Sequence, residues 1–246
     1  MKVAVVQFWG SNCDHDAIEW APRVLGLASE VIWYEERDLK GADLVVLPGG
    51  FSYGDYLRPG AMAARTPVLE AVIAHARRGG LVIGICNGFQ VLCEVGLLPG
   101  ALLRNQTLTF LHQEVILRCE TAGSPFTAGI GRGRLLRMPI AHGDGNYFAD
   151  AATLSRLKDE DRVAFRYVDA EGGLDPAHNP NGSLDAIAGI LSEGRNVLGM
   201  MPHPERASEA LLGSSDGAEI LRSVLGSFQS AGRMETGKQR ARETGR

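Results

Sequence analysis

The segment Leu81-Val82-Ile83-Gly84-Ile85-Cys86-Asn87-Gly88-Phe89-Gln90-Val91-Leu92 decides how this chain is built. It begins as a short apolar run, meets a cysteine with glycine two positions before and two after, and continues with an amphipathic pattern. A strand that turns sharply into a helix needs this arrangement. The backbone folds back on itself at the turn, so the residues at −2 and +2 must be small, and the thiol is left at the helix N-terminus. The unpaired N–H groups and the positive dipole end there favour thiolate over thiol. A lone cysteine at a strand end is more commonly a buried, inert side chain. The Gly-x-Cys-x-Gly frame sets this one apart.

Outward from the elbow, strand and helix signals alternate through the first half. Val3 to Phe8, Val31 to Tyr34, Leu44 to Leu47 and Leu81 to Ile85 are short apolar runs, as expected for strands buried on both faces. Before the last of them a helix is well marked. Thr66 can cap it, Pro67 suits its first turn, Val68, Leu69, Val72, Ile73 and Ala76 form its apolar stripe, and Gly79-Gly80 ends it. Alternating β and α units imply an α/β fold with a parallel sheet and right-handed crossovers. Ligands in such sheets gather beyond the carboxyl ends of the strands, where both Cys86 and Gly49-Gly50 fall. Pro22 is expected to kink or shorten any helix between Asp14 and Leu25.

The second half reads as more β-rich. Leu111 to Leu117, Leu135 to Ile140 and Val163 to Tyr167 are strand candidates, and Ile187 to Leu191 with Val197 to Met201 reads as a hairpin. Asp169 to Asn181 reads as a surface loop, and Ile220 to Phe228 as a closing helix. From Gly232 to Arg246 there are five basic and two acidic residues and almost nothing apolar, the composition of a disordered tail.

At 246 residues, 45% hydrophobic and 22% charged, the chain suits one generous α/β domain. No run approaches the roughly 18 apolar residues of a membrane helix, and the N-terminus reads as a strand rather than a signal peptide. A net charge of −4 gives no nucleic-acid footprint. Cys13, Cys86, Cys93 and Cys119 are scattered without CxxC spacing, which fits reduced thiols in the cytoplasm. Cys93 and Cys119 read as core residues. The six histidines are far apart, so no metal site is expected. Neither GxxxxGK[ST] nor a helix-opening G-x-G-x-x-G occurs, so an ATP-consuming step belongs on another chain.

A reactive thiol needs a base. In Met200-Met201-Pro202-His203-Pro204-Glu205-Arg206 the histidine is held between two prolines, which restrict the backbone on both sides. In an extended segment residues i and i+2 project together, so Glu205 can orient His203. Cys86, His203 and Glu205 then follow the logic of nucleophile, base and orienting group. A third stretch, Leu47-Pro48-Gly49-Gly50-Phe51-Ser52, ends a strand in bare backbone. The N–H groups of Gly50 and Asn87 can form a two-donor oxyanion hole, although without the cysteine this would read as an ordinary glycine-rich turn.

Gly84-Ile85-Cys86-Asn87-Gly88-Phe89-Gln90 with Pro202-His203-Pro204-Glu205 resembles the class I glutamine amidotransferase family. Longer strings narrow the resemblance: Gly10-Ser11-Asn12-Cys13-Asp14, the run 49–58, Ala141-His142-Gly143-Asp144-Gly145-Asn146 and the run 199–206. Within that family they resemble the glutaminase subunits of phosphoribosylformylglycinamidine synthases, over nearly the whole chain to about Phe228. The resemblance implies a flavodoxin-like α/β fold, a mainly parallel central sheet flanked by helices with added antiparallel strands, over residues 1–231. It also implies glutamine hydrolysis through a cysteinyl thioester. Ammonia would pass to a synthetase subunit carrying ATP and Mg, with a small third subunit and no cofactor on this chain. Gly49, Phe51, Ser52, Gln90 and His142 are the candidate glutamine contacts. Arg58 either meets a carboxylate or covers a solvated helix face. Two other readings share these residues: a stand-alone cysteine hydrolase such as a γ-glutamyl hydrolase, and a catalytically silent interaction subunit.

Overall fold

The computed structural model describes the backbone over residues 1–243 and side chains over residues 1–230. Its first half is the expected alternation: β1 (Val3–Gln7), α1 (Asp14–Leu25), β2 (Ser29–Trp33), β3 (Leu44–Leu47), α2 (Pro67–Arg77), β4 (Leu81–Ile85) and α3 (Asn87–Glu94). Then come β5 (Ala101–Leu103), β6 (Leu111–Cys119), β7 (Leu135–His142), β8 (Asn146–Phe148), α4 (Ala151–Asp159), β9 (Val163–Val168), β10 (Ile187–Leu191), β11 (Val197–Met200) and α5 (Ala218–Glu243). One mixed sheet of nine strands runs in the order β2-β1-β3-β4-β11-β10-β9-β6-β7. From β2 to β11 the neighbours are parallel, and from β11 onward they are antiparallel. The fold is therefore α/β, with a flavodoxin-like half extended by antiparallel strands. β5 and β8 form a separate pair. No described helix is long and apolar enough to cross a membrane.

β3 is buried at every residue, and β1 and β4 at all but one each, because helices cover both faces of a parallel sheet. α2 adds Val68, Leu69, Val72 and Ala76 to the core, a stripe at helical spacing. Cys119 is buried in the core cluster and Cys93 packs against it.

Local expectations differ from the structure in four places. Pro22 neither shortens nor breaks α1, which runs unbroken for 12 residues. Its missing N–H leaves the Ile18 carbonyl free, and the Ser29 hydroxyl donates to that oxygen at 2.7 Å. Thr66 stands at the N-cap of α2 but makes no side-chain cap; its hydroxyl donates back to Ala63 O at 2.7 Å. The helix α4 was not expected from its apolar pattern, yet its signal is present: Asp150 accepts from Thr153 N at 2.7 Å, a standard N-cap. The closing helix, expected over 220–228, has a backbone that continues to Glu243. The disordered tail expected over 232–246 falls on residues whose side chains, and from 244 whose backbone, lie outside the described ones.

Candidate active site

Cys86 closes β4 and caps α3 with φ 51° and ψ −105°, a conformation that costs a non-glycine residue on the order of 1–3 kcal/mol. Close packing on both sides holds it there. A Cβ on Gly84 would stand 2.5 Å from Leu92 Cδ1 and 2.6 Å from Gly88 O, and one on Gly88 would overlap the Leu47 carbonyl. Glycine at −2 and +2 is thus a packing requirement. Cys86 N donates to Met200 O at 2.8 Å, so the β4–β11 ladder reaches the thiol-bearing residue itself. The Cys86 Sγ lies 3.6 Å from Ala141 O.

His203 arrives on the neighbouring strand, just beyond β11. The segment after it is not extended as expected. Pro204–Arg206 forms one 3₁₀ turn with His203 as its N-cap, and this turn swings Glu205 back to the ring. His203 Nδ1 and Glu205 Oε1 are 2.6 Å apart, and both residues are 1% exposed. His203 N donates to Pro139 O at 2.9 Å, pinning the residue to β7. With a carboxylate at Nδ1, that nitrogen carries the proton, and Nε2 has no hydrogen-bond partner among the described residues. Burial alone pushes the imidazole's pKa down; the Glu205 carboxylate, and then the Cys86 sulfur, more than reverse this and hold it raised. Both side chains crowd the place where Gly49 would carry a Cβ. A Cβ there would lie 2.7 Å from His203 Cε1 and 3.3 Å from Cys86 Cβ.

Gly50 has φ +111°, and a Cβ on it would meet Asn12 Oδ1 at 2.5 Å and Asn12 N at 2.6 Å. Both conformation and space therefore demand glycine. Ser11 Oγ donates to Gly49 O at 3.1 Å and ties this turn to the loop after β1. Among the described residues, neither Gly50 N–H nor Asn87 N–H has a protein acceptor. The Asn87 side chain, by contrast, is fully used. Its oxygen accepts from Ser52 N and Ser52 Oγ, and its Nδ2 donates to Asp55 Oδ1 at 3.2 Å and Gln90 Oε1 at 2.8 Å. Gln90 Nε2 then donates to Asp144 O at 2.7 Å.

A cavity of about 240 Å³ opens beside the thiol. Cys86, Gly50, Phe51, Gln90 and His142 line it. Gly49, Ser52, Asn87, His203 and Glu205 are buried and do not line it. Ser52, expected as a glutamine contact, is 2% exposed and bonded to Asn87; it supports the wall. Several lining residues were not singled out from the sequence: Asn12, Cys13 and Arg206 on one part, Asp55, Phe110 and Asp144 on another. Their signal lay in the long strings 10–14, 49–58 and 141–146, but a role for single members needs the loops brought together. Arg58 covers a solvated helix face, forming a two-pronged surface pair with Glu94 of α3 at 2.6 Å per bond, and does not line the cavity.

Comparison with known proteins agrees with this geometry. The model of the CobB/CobQ-like glutamine amidotransferase domain matches residues 1–227. The chain is 55% identical over 232 residues to phosphoribosylformylglycinamidine synthase subunit PurQ of Koribacter versatilis, covering 93% of this chain and 99% of the relative. It is 56% identical over 225 residues to the protein of that name from Rubrobacter xylanophilus, covering 92% and 98%. A chain in the solved structure of PurLQS from Thermotoga maritima superposes with a TM-score of 0.81 at 42% identity, covering 92% and 98%. A glutamine amidotransferase from Thermotoga maritima, at 17% identity and a TM-score of 0.55 over 92% of this chain and 96% of that one, shares the fold. The elbow cysteine, the buried histidine–glutamate pair and these similarities agree: the chain belongs to the glutamine amidotransferase family, among the PurQ subunits of phosphoribosylformylglycinamidine synthases.

Proposed function

We propose that this chain is the glutaminase subunit of a phosphoribosylformylglycinamidine synthase, with Cys86 as nucleophile, His203 as acid and base, and Glu205 as the group that orients it. The observation that carries the assignment is the convergence of the Cys86 side chain and the His203 ring on one point, the space that a Cβ on Gly49 would occupy. Cys86 gives its thiol proton to His203 Nε2, and the resulting thiolate attacks the carboxamide carbon of glutamine. The carbonyl oxygen becomes an oxyanion facing the free N–H groups of Gly50 and Asn87. As the intermediate collapses, the C–N bond breaks and His203 Nε2–H gives its proton to the departing nitrogen, releasing ammonia. Nε2 then takes a proton from water, whose oxygen attacks the glutamyl thioester; glutamate leaves and the thiolate is restored. Phe51, Gln90 and His142 in the cavity wall, with the buried Gly49 and Ser52, form the glutamine site.

Ammonia produced here serves a synthetase partner that binds ATP and Mg and converts formylglycinamide ribonucleotide to formylglycinamidine ribonucleotide in purine biosynthesis. The name PurLQS of the similar solved structure supports assembly with two other subunits, the synthetase and a small third one. We place the amidotransferase domain over residues 1–231, which the family match over 1–227 supports, and the enzyme in the cytoplasm, in keeping with four free cysteines. The test uses the reconstituted complex. Cys86→Ala abolishes glutamine-dependent synthesis and leaves ammonia-dependent synthesis intact. Equal loss of both would make Cys86 structural and overturn the assignment.

A further inference from the structure

Two carboxylates border the cavity without a cation to neutralise them among the described residues. Asp55, in the loop after β3, and Asp144, in the turn after β7, both line it. The groups acting on Asp55 are Asp144 and Asn87, with no positive side chain among them. The arginine in the same wall, Arg206, is already paired with Asp16 at 2.9 Å. Burial and then the Asp144 charge raise the Asp55 carboxyl to about 6. Two like charges held together next to a cavity are relieved by a bound cation.

The relay that starts at the elbow positions the carboxylate of Asp55 and the backbone of Asp144. Asn87 Nδ2 holds Asp55 Oδ1, and Gln90 Nε2 holds the Asp144 carbonyl. A third acceptor stands in the same wall. His142 is 3% exposed, and its Nδ1 lies 3.0 Å from Asn105 Oδ1. The Asn105 amide is fixed the other way round, because its Nδ2 donates to Thr109 O and His142 O at 2.9 and 2.8 Å. The network therefore assigns the proton of His142 to Nδ1. Its Nε2 keeps a bare lone pair, and that buried atom has no partner among the described residues.

We propose that Asp55, Asp144 and His142 Nε2 form the receptor for the α-ammonium group of glutamine. The match is one of count and charge: an ammonium has three N–H donors, and the wall offers two anionic acceptors and one neutral one. The role of Gln90 changes accordingly, from direct contact to positioning, since its amide is spent on Asn87 and Asp144. This inference rests on the glutaminase reading, because it takes glutamine as the occupant of the cavity.

The experiment compares L-glutamine with glutaramate, the amide that lacks the α-amino group, in the reconstituted complex. The wild type prefers glutamine by about 10²-fold or more in kcat/KM, because the analogue leaves polar groups unpaired. Asp55→Asn and Asp144→Asn each raise KM for glutamine by about ten- to a hundredfold, with the larger part of the loss in KM rather than kcat, and reduce that preference by the same factor. Asp55→Glu restores part of it. Two variants on different loops guard against one failing to fold, and thermal melting reports that directly. A preference unchanged in both variants, or equal losses for both substrates, overturns the receptor. Absence of ammonia release from glutamine by the wild-type complex would instead overturn the glutaminase reading.

Discussion

Gly49→Ala isolates the contact on which the catalytic assignment depends. The φ of Gly49 lies outside the left-handed region, so alanine accepts the backbone there and the added methyl acts only by its volume. That methyl would sit 2.7 Å from His203 Cε1, whereas ordinary contacts begin at 3.4 Å; the ring must shift by about 0.7 Å. It cannot swing away freely, because Glu205 holds Nδ1 at 2.6 Å and Pro139 O holds the backbone at 2.9 Å. A misplacement of about 1 Å costs about 10²-fold, so kcat for glutamine should fall by about 10–10². Overpacking should cost about 1–3 kcal/mol, which lowers Tm by about 3–10 °C in a chain this long. The assay is synthesis by the reconstituted complex with glutamine and, separately, with ammonia as nitrogen source. The variant should lose the first and keep the second. A Gly49→Ala complex with wild-type glutamine turnover would refute the placement of His203 as the base for Cys86.

Two further outcomes are expected. His203→Ala should be nearly as damaging as loss of the cysteine, by about 10²–10⁴-fold, and Glu205→Gln less so, because glutamine can still hold the ring; steady-state kinetics with full activity in Glu205→Gln would remove the third member of the triad. His142 should make stability fall with acid. Burial, and then the His203 charge, lower its pKa to about 4 in the folded chain against about 6.5 unfolded. Between those values the unfolded state binds more protons, so stability is lost as pH drops through that window, by about 2 kcal/mol from pH 7 to pH 5. Asp55, raised to about 6, works in the opposite direction, so the measurement is the difference between wild type and His142→Gln in urea unfolding at the two pH values. Identical pH dependence would mean that His142 is not buried in its neutral form.

The elbow was legible because its constraint is local. Two glycines at fixed offsets from Cys86 describe a backbone that doubles back, and no distant contact is needed to see it. The His203–Glu205 pair was legible in its membership but not in its geometry, since spacing alone does not separate an extended segment from a 3₁₀ turn. Pro22 misled for a related reason: the freed Ile18 carbonyl is satisfied by Ser29, a residue in another element. The cavity wall was the least legible part. Asn12, Asp55, Phe110 and Asp144 lie on four separate loops, and only sheet order brings those loops to one end. The tautomer of His142 likewise depends on Asn105, 37 positions away.

The pairing of β4 with β11 also governs when the enzyme can become active. Val82 pairs with Val197, so the strand that ends in Cys86 gains its second neighbour only after the intervening positions, 83 to 196, have been made. At about 5–20 residues per second of synthesis, that interval lasts on the order of several seconds to half a minute. During it β4 is an unprotected sheet margin of apolar residues, the kind of surface that draws other chains. On the proposed roles, the thiol exists for that time without His203, so a ribosome-bound intermediate holds a chemically incomplete centre and cannot consume glutamine. Catalytic competence is therefore acquired only once residues 197–205 have been made, and the same later strand that flanks β4 brings the chemistry with it.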